Sequence, residues 1–377
     1  MRAADNPGTH GRLSRIANRR RLAALSGATV AVLALAACSS GGSSSSSSTG
    51  TSTSTAGASP AATTSQSLTT INIGEVPFYA NIPLALGEKV GIFAHYGLTV
   101  NLQPASNVNV IIANLHSGHQ QLGFVTTPLL LKADEAGQGI ECIAPLGPAN
   151  NVNPSYPENA VMVAKGSNIT SLAQLSGKTV GLNELAGSNE LYLEAGVEAA
   201  GGNFSSIKLA TIPFADMAAA LKSGTIQAGF EVEPFIVSGE QSGDQKLLAD
   251  LDNVTAPWTT ECYAATSSYL TANTAVMTRF VEAEDQSILY AAAHPSEALA
   301  EIGTVSGLSA AAAKADVPPD IVYTDSLAPD TLIKYANLML KYNDLKSPVP
   351  AQNTIAWVAP GSPATKLLFA DGGKYTG

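Results

Sequence analysis

The chain has 377 residues, 13% of them charged and 6% aromatic, with 20 Lys and Arg against 30 Asp and Glu for a formal net charge of −10. Taking away the six Arg and one Asp that precede Cys38 leaves 14 basic and 29 acidic residues, a formal −15. So acidic a body argues against nucleic acid and anionic lipid as partners, and its high Ala and Gly share suits a soluble α/β fold.

Arg2, Arg12, Arg15 and Arg19 to Arg21 form a basic start, followed by the apolar run LAALSGATVAVLALAA (22–37). That run is shorter than the roughly 20 residues a spanning helix needs, and Ser26, Gly27 and Thr29 interrupt it. Residues 1–37 therefore read as a secretory signal. Its end, LAAC at 35–38, resembles a bacterial lipobox, which implies cleavage before Cys38 and acylation of that residue. Two or more acyl chains hold a protein on a membrane where one is marginal. The alternative is an ordinary signal with an incidental cysteine, and the triple Arg leaves the export route open. Residues 38–67, nearly all Ser, Thr, Gly and Ala, have no apolar face to bury and read as a disordered tether.

From Leu68 the rhythm is strand, helix, strand. TTINIGEV (69–76) and LTVNLQP (98–104) read as strands, NVNVIIANLHSG as a helix, QLGFVT as a strand, PLLLKADEAG as a helix and IECIAPLG as a strand. The pattern restarts with the strand KTVGLNE (178–184) and the helix GSNELYLEAGVEAAG. The strand KLATIPF, the helix ADMAAALKSG and the strand IQAGFEVE follow. Beyond Thr271 the chain reads mainly as helices. Two α/β units in series predict two lobes, with a ligand cleft where strand ends meet. Cys142 and Cys262 are either two independent buried thiols or a disulfide, which an exported protein permits. The pair HSGH (His116, His119) has zinc-like spacing but no third ligand nearby, so solvated histidines are the expectation.

Four segments, taken together and in order, resemble the periplasmic-type solute-binding proteins of ABC importers. The nearest branch is the nitrate/sulfonate/taurine type, related to the pyrimidine-precursor proteins of thiamine synthesis. GIFAHYGLTVNL (91–102) is similar to the family's G-[FI]-F…G-L-x-V-x-L, and LHSGHQQLGFVTT (115–127) to L…G…D-x-G-F. SLAQLSGKTVGL (171–182) is similar to S-L-x-D-L-K-G-K-x-V-G. MAAALKSGTIQAGFEVEPF (217–235) is similar to A-L-x-x-G-x-I-D-A-x-x-x-x-E-P-F, with Gln227 where the family usually has Asp.

The resemblance runs from Ile71 to about Trp357 and implies a type II periplasmic-binding-protein fold, two lobes each with a mixed sheet flanked by helices. Lobe one takes residues 68–158 with 267–377, and lobe two takes 159–266. The chain crosses out near 156–165 and back near 258–266. The returning strand lies beside the fourth strand of lobe one, which puts Cys142 and Cys262 on neighbouring strands and implies that they are bridged. The function implied is a monomeric, extracytoplasmic, lipid-anchored receptor that needs no cofactor or metal. It would carry a small organic solute, sulfonate-, nitrate- or taurine-like or pyrimidine- or amine-like, to a permease driven by an ATPase. A surface sensor or adhesin that keeps the fold without transport is the alternative. An enzyme is disfavoured: the chain has no Cys cluster, nucleophile elbow, P-loop or H-E-x-x-H motif.

Site residues are expected in the loops after strands. Phe78, Tyr79 and Asn81 follow the first strand, where the rings either line the cleft or pack the lobe. Thr126 and Thr127 precede Pro128 and combine capping with free N–H groups at a helix start. Gly187, Ser188 and Asn189 offer a second polar clamp, with the amides of PANNVN (148–153) ranked lower. Glu231 and Glu233 are spaced for one strand face, and the resemblance assigns Glu233-Pro234-Phe235 to the family's E-P-F at the cleft edge. Trp258 is a hinge residue or a cleft wall. No Lys or Arg falls in these loops, whereas Glu75, Glu184, Glu231 and Glu233 do, so a bare anion is disfavoured as ligand.

Overall fold

The computed structural model describes residues 67–146, 159–248, 261–309 and 329–348. The signal segment, Cys38, the tether, the loop 148–153 and Trp258 lie outside these ranges. No helix among the described residues is long and apolar enough to cross a membrane.

Lobe one begins with β1 (Thr69–Glu75), where Ile71 and Ile73 are fully buried. A 3-10 turn at Tyr79–Asn81 leads into α1 (Ile82–Lys89), with Pro83 in its first turn, and then α2 (Ile92–His95). β2 (Leu98–Pro104), α3 (Val108–Ser117), β3 (Leu122–Thr126), α4 (Thr127–Glu135) and β4 (Ile140–Leu146) complete the first series. The second series starts with β5 (Asn159–Val163), β6 (Thr179–Leu182), α5 (Ser188–Ala199) and β7 (Lys208–Thr211). It continues with α6 (Phe214–Ser223), β8 (Ala228–Val232), α7 (Phe235–Ser242) and β9 (Gln245–Leu248). β10 (Glu261–Thr266) is followed by α8 (Ser267–Ala272), α9 (Thr274–Ala293), α10 (Pro295–Ala300) and α11 (Ile302–Ser306). Among the described residues α12 (Pro329–Lys341) comes last.

The strand orders are β2-β1-β3-β10-β4 and β7-β6-β8-β5-β9. β1 in one sheet and β6 in the other each pair in parallel with the two strands that follow in chain order. The crossing strand, β10 or β5, enters antiparallel between the third and fourth strands. Two mixed sheets flanked by helices are the architecture expected.

Two boundaries differ from the sequence reading. Residues 261–266, inside the range given to lobe two, form β10 of the lobe-one sheet, beside β4 as the resemblance implied for the returning strand. Its apolar run Cys262–Ala265 is buried throughout, which requires paired strands on both edges. The last helix, placed with lobe one, packs Tyr335, Ala336 and Met339 into a core with Leu172, Tyr192 and Phe230 of lobe two. The Tyr192 and Tyr335 hydroxyls hydrogen-bond there. Just beyond that helix the chain also reaches α4, through a 3.1 Å Lys132–Asp344 ion pair and a 2.7 Å bond from the Lys346 N–H to Glu135.

A repeated device builds both third strands. Gly118 and Gly224 end α3 and α6 with φ of 76° and 75°, a left-handed turn that favours Gly. Three residues on, Gln121 and Gln227 use Oε1 to accept the N–H of Asn72 and of Thr179, each at 3.0 Å. Their amides donate to the carbonyls of Gly118 and Gly224 at 3.2 and 3.1 Å. Gln227 therefore ties the helix end to the lobe's first parallel strand, which explains why an amide serves where the resemblance has a carboxylate. Two residues further stand Gly123 and Gly229, where a Cβ would lie 2.2 Å from Ile111 and 2.6 Å from Met217. Each helix thus rests directly on strand backbone.

Cys142 and Cys262 do lie on adjacent strands, both buried, but they are free thiols and not a disulfide. The register shift between Tyr263 and Ala264 sets Cys262 opposite Pro145 and Cys142 opposite Ala264, so the two are not a directly opposed pair. They remain close enough for a thiol–thiol hydrogen bond, and burial pushes the Cys142 thiol up.

Gly229→Ala should force α6 off the sheet and lower stability by about 1–3 kcal/mol, as measured by urea unfolding. A neutral result would show that Met217 yields without cost.

Candidate functional site

One cavity lies where the two sheets present their strand ends, with about 280 Å³ of space between atoms, counting its open mouth. Lobe one contributes Val76, Phe78, Val108, Phe124, Thr126 and Glu261, and lobe two contributes Asn183, Glu184, Asn189, Phe214 and Val232. Hydrogen bonds among the described residues join the lobes around it. Asn183 Nδ2 donates to the Ser106 carbonyl at 2.8 Å, Asn109 Nδ2 to the Leu185 carbonyl at 3.4 Å, and the Thr126 hydroxyl to Glu184 Oε1 at 3.1 Å.

The walls are aromatic. Phe78 meets Phe124 edge-on with centroids 5.0 Å apart, and Phe214 stacks on Phe235 at 5.7 Å. Phe235, expected in the cleft, thus backs the lining ring instead of lining the cavity itself.

Glu184 is the buried polar centre, 2% exposed. It stands two residues after β6 in the loop that leads to α5. Burial pushes its carboxyl up to about 7, although the Thr126 hydroxyl and the Ser188 N–H both pull the other way. Its Oε2 has no hydrogen-bond partner. Gly187 makes this placement possible, because a Cβ there would come within 1.9 Å of the carboxylate. Ala186 holds a φ of 64°, a costly conformation for a residue with a Cβ, and donates its N–H to Glu190 at 2.7 Å.

Of the residues expected from sequence, Phe78, Thr126 and Asn189 line the cavity. Tyr79 packs in a lobe-one core with Ile82 and Ile288. Asn81 is fully buried and donates to the Val76 carbonyl at 2.7 Å, fixing the turn after β1. Thr127 is the buried first residue of α4, and Ser188 the buried first residue of α5. Glu233 accepts the Val237 N–H at 3.2 Å and so anchors the start of α7. Glu231 lies within β8, one residue from the lining Val232, and alternation turns it to the other face. Sequence reasoning missed Asn183, Glu261, Phe124, Phe214, Val76, Val108 and Val232, and it counted Glu184 only among the acids. Position just after a strand was a usable signal for Asn183 and Glu184; Glu261 was not reachable before β10 was placed. His116 and His119 are exposed, and no group of three or more potential metal ligands occurs among the described residues.

The arrangement can bind a small molecule by closing two lobes on it. A model of the family described as "NMT1/THI5 like" matches residues 80–298, more than half of the chain, and the chain belongs to that family. No curated protein matches it. Among solved structures, a ligand-binding component of an ABC-type import system from Staphylococcus aureus, with zinc bound, is 19% identical over 76% of this chain and 95% of its own, with a TM-score of 0.63. The alkanesulfonate-binding protein SsuA of Xanthomonas axonopodis pv. citri, bound to MOPS, is 17% identical over 76% and 97%, TM-score 0.61. The nitrate-binding protein NrtA of Synechocystis PCC 6803 is 12% identical over 76% and 84%, TM-score 0.62. The fold also carries an enzyme: the desulfurization enzyme DSZB is 16% identical over 80% and 99%, TM-score 0.55. These likenesses establish a periplasmic-binding-protein fold.

Burial pushes the carboxyls of Glu75, Glu231 and Glu284 up to about 8, Asp244 adding to the effect at Glu231 and Asp285 at Glu284. With Glu184 at about 7, these groups hold protons in the folded chain that the unfolded chain releases near its ordinary 4.5. Their contribution is therefore complete below about pH 4.5 and is lost as pH rises through 7 to 8. At about 1.4 kcal/mol per pKa unit, the unfolding free energy should drop by several kcal/mol from pH 5 to pH 8. Urea titrations across that range check it; a flat or rising profile contradicts the raised values.

Proposed function

We propose that this protein is the solute receptor of an ABC importer, exported, held by an acylated Cys38 and working outside the cytoplasm as a monomer. Solute would be captured between the lobes and handed to a membrane permease whose ATPase drives release. One observation carries this reading: a cavity at the strand ends of both sheets, walled by aromatic rings from both lobes and spanned by inter-lobe hydrogen bonds. Two lobes linked by crossing strands close on a ligand by hinge motion, and closure gives a permease a surface to read. The family and the import-system proteins of like fold support the reading, as does a lining in which apolar side chains alternate with the polar groups of Thr126, Asn183, Glu184, Asn189 and Glu261. The aromatic and amide groups serve binding better than bond-breaking, so a non-enzymatic role is favoured.

Phe78, Thr126 and Asn189 are the ligand contacts in this reading. Tyr79, Asn81, Thr127, Gly187, Ser188, Glu233 and Phe235 support them from behind. Asn183→Ala removes the bond to the Ser106 carbonyl and should favour the open state. Small-angle scattering should then show a larger radius of gyration without solute, and an unchanged value would mean the bond does not govern closure. Cys38→Ala should abolish incorporation of labelled palmitate and move the protein from the membrane to the soluble fraction. Continued membrane retention without label would overturn the lipid anchor.

A further inference from the structure

The start of a long helix can hold an anion, because free N–H groups and the helix dipole favour negative charge there. Here that position is filled from within. Glu184 sets its carboxylate against the first turn of α5, takes the Thr126 hydroxyl at the start of α4, and draws on the Ser188 N–H. Gly187 clears the space it needs. The chain thus places its own carboxyl group at the junction of two helix starts, with Oε2 buried and without a hydrogen-bond partner. The cavity is further lined by Glu261 from the other lobe, and by no Lys or Arg among the described residues. The crossing segments 147–158 and 249–260 contain neither residue in their sequence. The one Arg of the body, Arg279, donates instead to the carbonyls of Tyr96 and Gly97. Phe78, Phe124 and Phe214 present rings whose faces attract cations and repel anions.

We propose that the cleft takes a small organic cation, a protonated amine or amidine on a compact apolar body, with Glu184 as its hydrogen-bonding counter-charge and Glu261 as a second. The inference rests on the receptor reading and specifies its ligand. A sulfonate or nitrate entering this cavity meets two acidic side chains and, among the described lining residues, no Lys or Arg, a cost that burial magnifies. An ammonium group instead gives Glu184 Oε2 the donor it lacks.

Calorimetric titration of the full chain with three probes of one shape tests this: benzylammonium, benzyl alcohol and benzenesulfonate. A thermal-shift array of metabolites sorted by charge extends the set. Benzylammonium or other cations of the array should bind at least ten-fold more tightly than neutral isosteres, with the anions silent. Glu184→Gln should lower cation affinity at least ten-fold more than it lowers binding of the neutral isosteres. Glu261→Gln gives an independent second reading should the buried Glu184 variant fold poorly. Binding confined to anions or neutral solutes, or cation affinity indifferent to both substitutions, overturns the cation assignment and leaves the receptor standing. Silence from every class overturns both.

Discussion

The hydrogen bond from Thr126 to Glu184 is the interaction on which the site depends. It joins the start of α4 in one lobe to the loop before α5 in the other, at the wall of the cavity. A buried carboxylate with few bonds is costly, and the protein offsets that cost by placing it at a helix start and by holding its proton more tightly. The glycine that makes room for it and the left-handed Ala186 beside it are local consequences of the same demand. One side chain therefore takes part both in joining the lobes and in setting the character of the cavity.

Around that point the molecule repeats itself. The Gly–Gln–Gly arrangement at 118, 121 and 123 recurs at 224, 227 and 229, with matching bonds to the lobes' first parallel strands. Identical sheet orders follow, because each device fixes the helix end, the strand register and the close approach of helix to sheet together. In lobe one the repeat delivers Thr126 to the cavity wall, and in lobe two it delivers Val232. The fold thus offers the same address twice, and the residue standing there decides whether it is polar or greasy.

Buried acid marks the rest of the body. Glu75 and Glu284 both bear on the buried Tyr263 hydroxyl, raising the tyrosine further than burial alone does. Glu231 sits in the interior of lobe two, beyond the cavity wall. These carboxyls lie outside the cavity, yet they share the property that makes Glu184 distinctive: each is a protonatable group in an apolar setting.

Much of the fold was legible in the sequence. Strands such as TTINIGEV and LTVNLQP and the helix ADMAAALKSG, ended by Gly224, announce themselves by alternation, periodicity and stop signals. α7, with Ser, Gly and Gln through its length, and the short β9 carry no such signal and owe their form to packing against β5 and β8. In the site, Phe78, Thr126 and Asn189 could be named because they follow strands. Glu233 and Tyr79 stand in equally promising loops, yet they turn away to hold a helix start and a core. Sequence by itself determined which segments are strands and helices and that the cleft loops are acidic, because those properties depend on neighbours along the chain. Tertiary structure alone decided that α12 packs into the lobe-two core and that Glu184 meets Thr126. Those are pairings between residues far apart in sequence, chosen by burial and by the need to satisfy a buried charge.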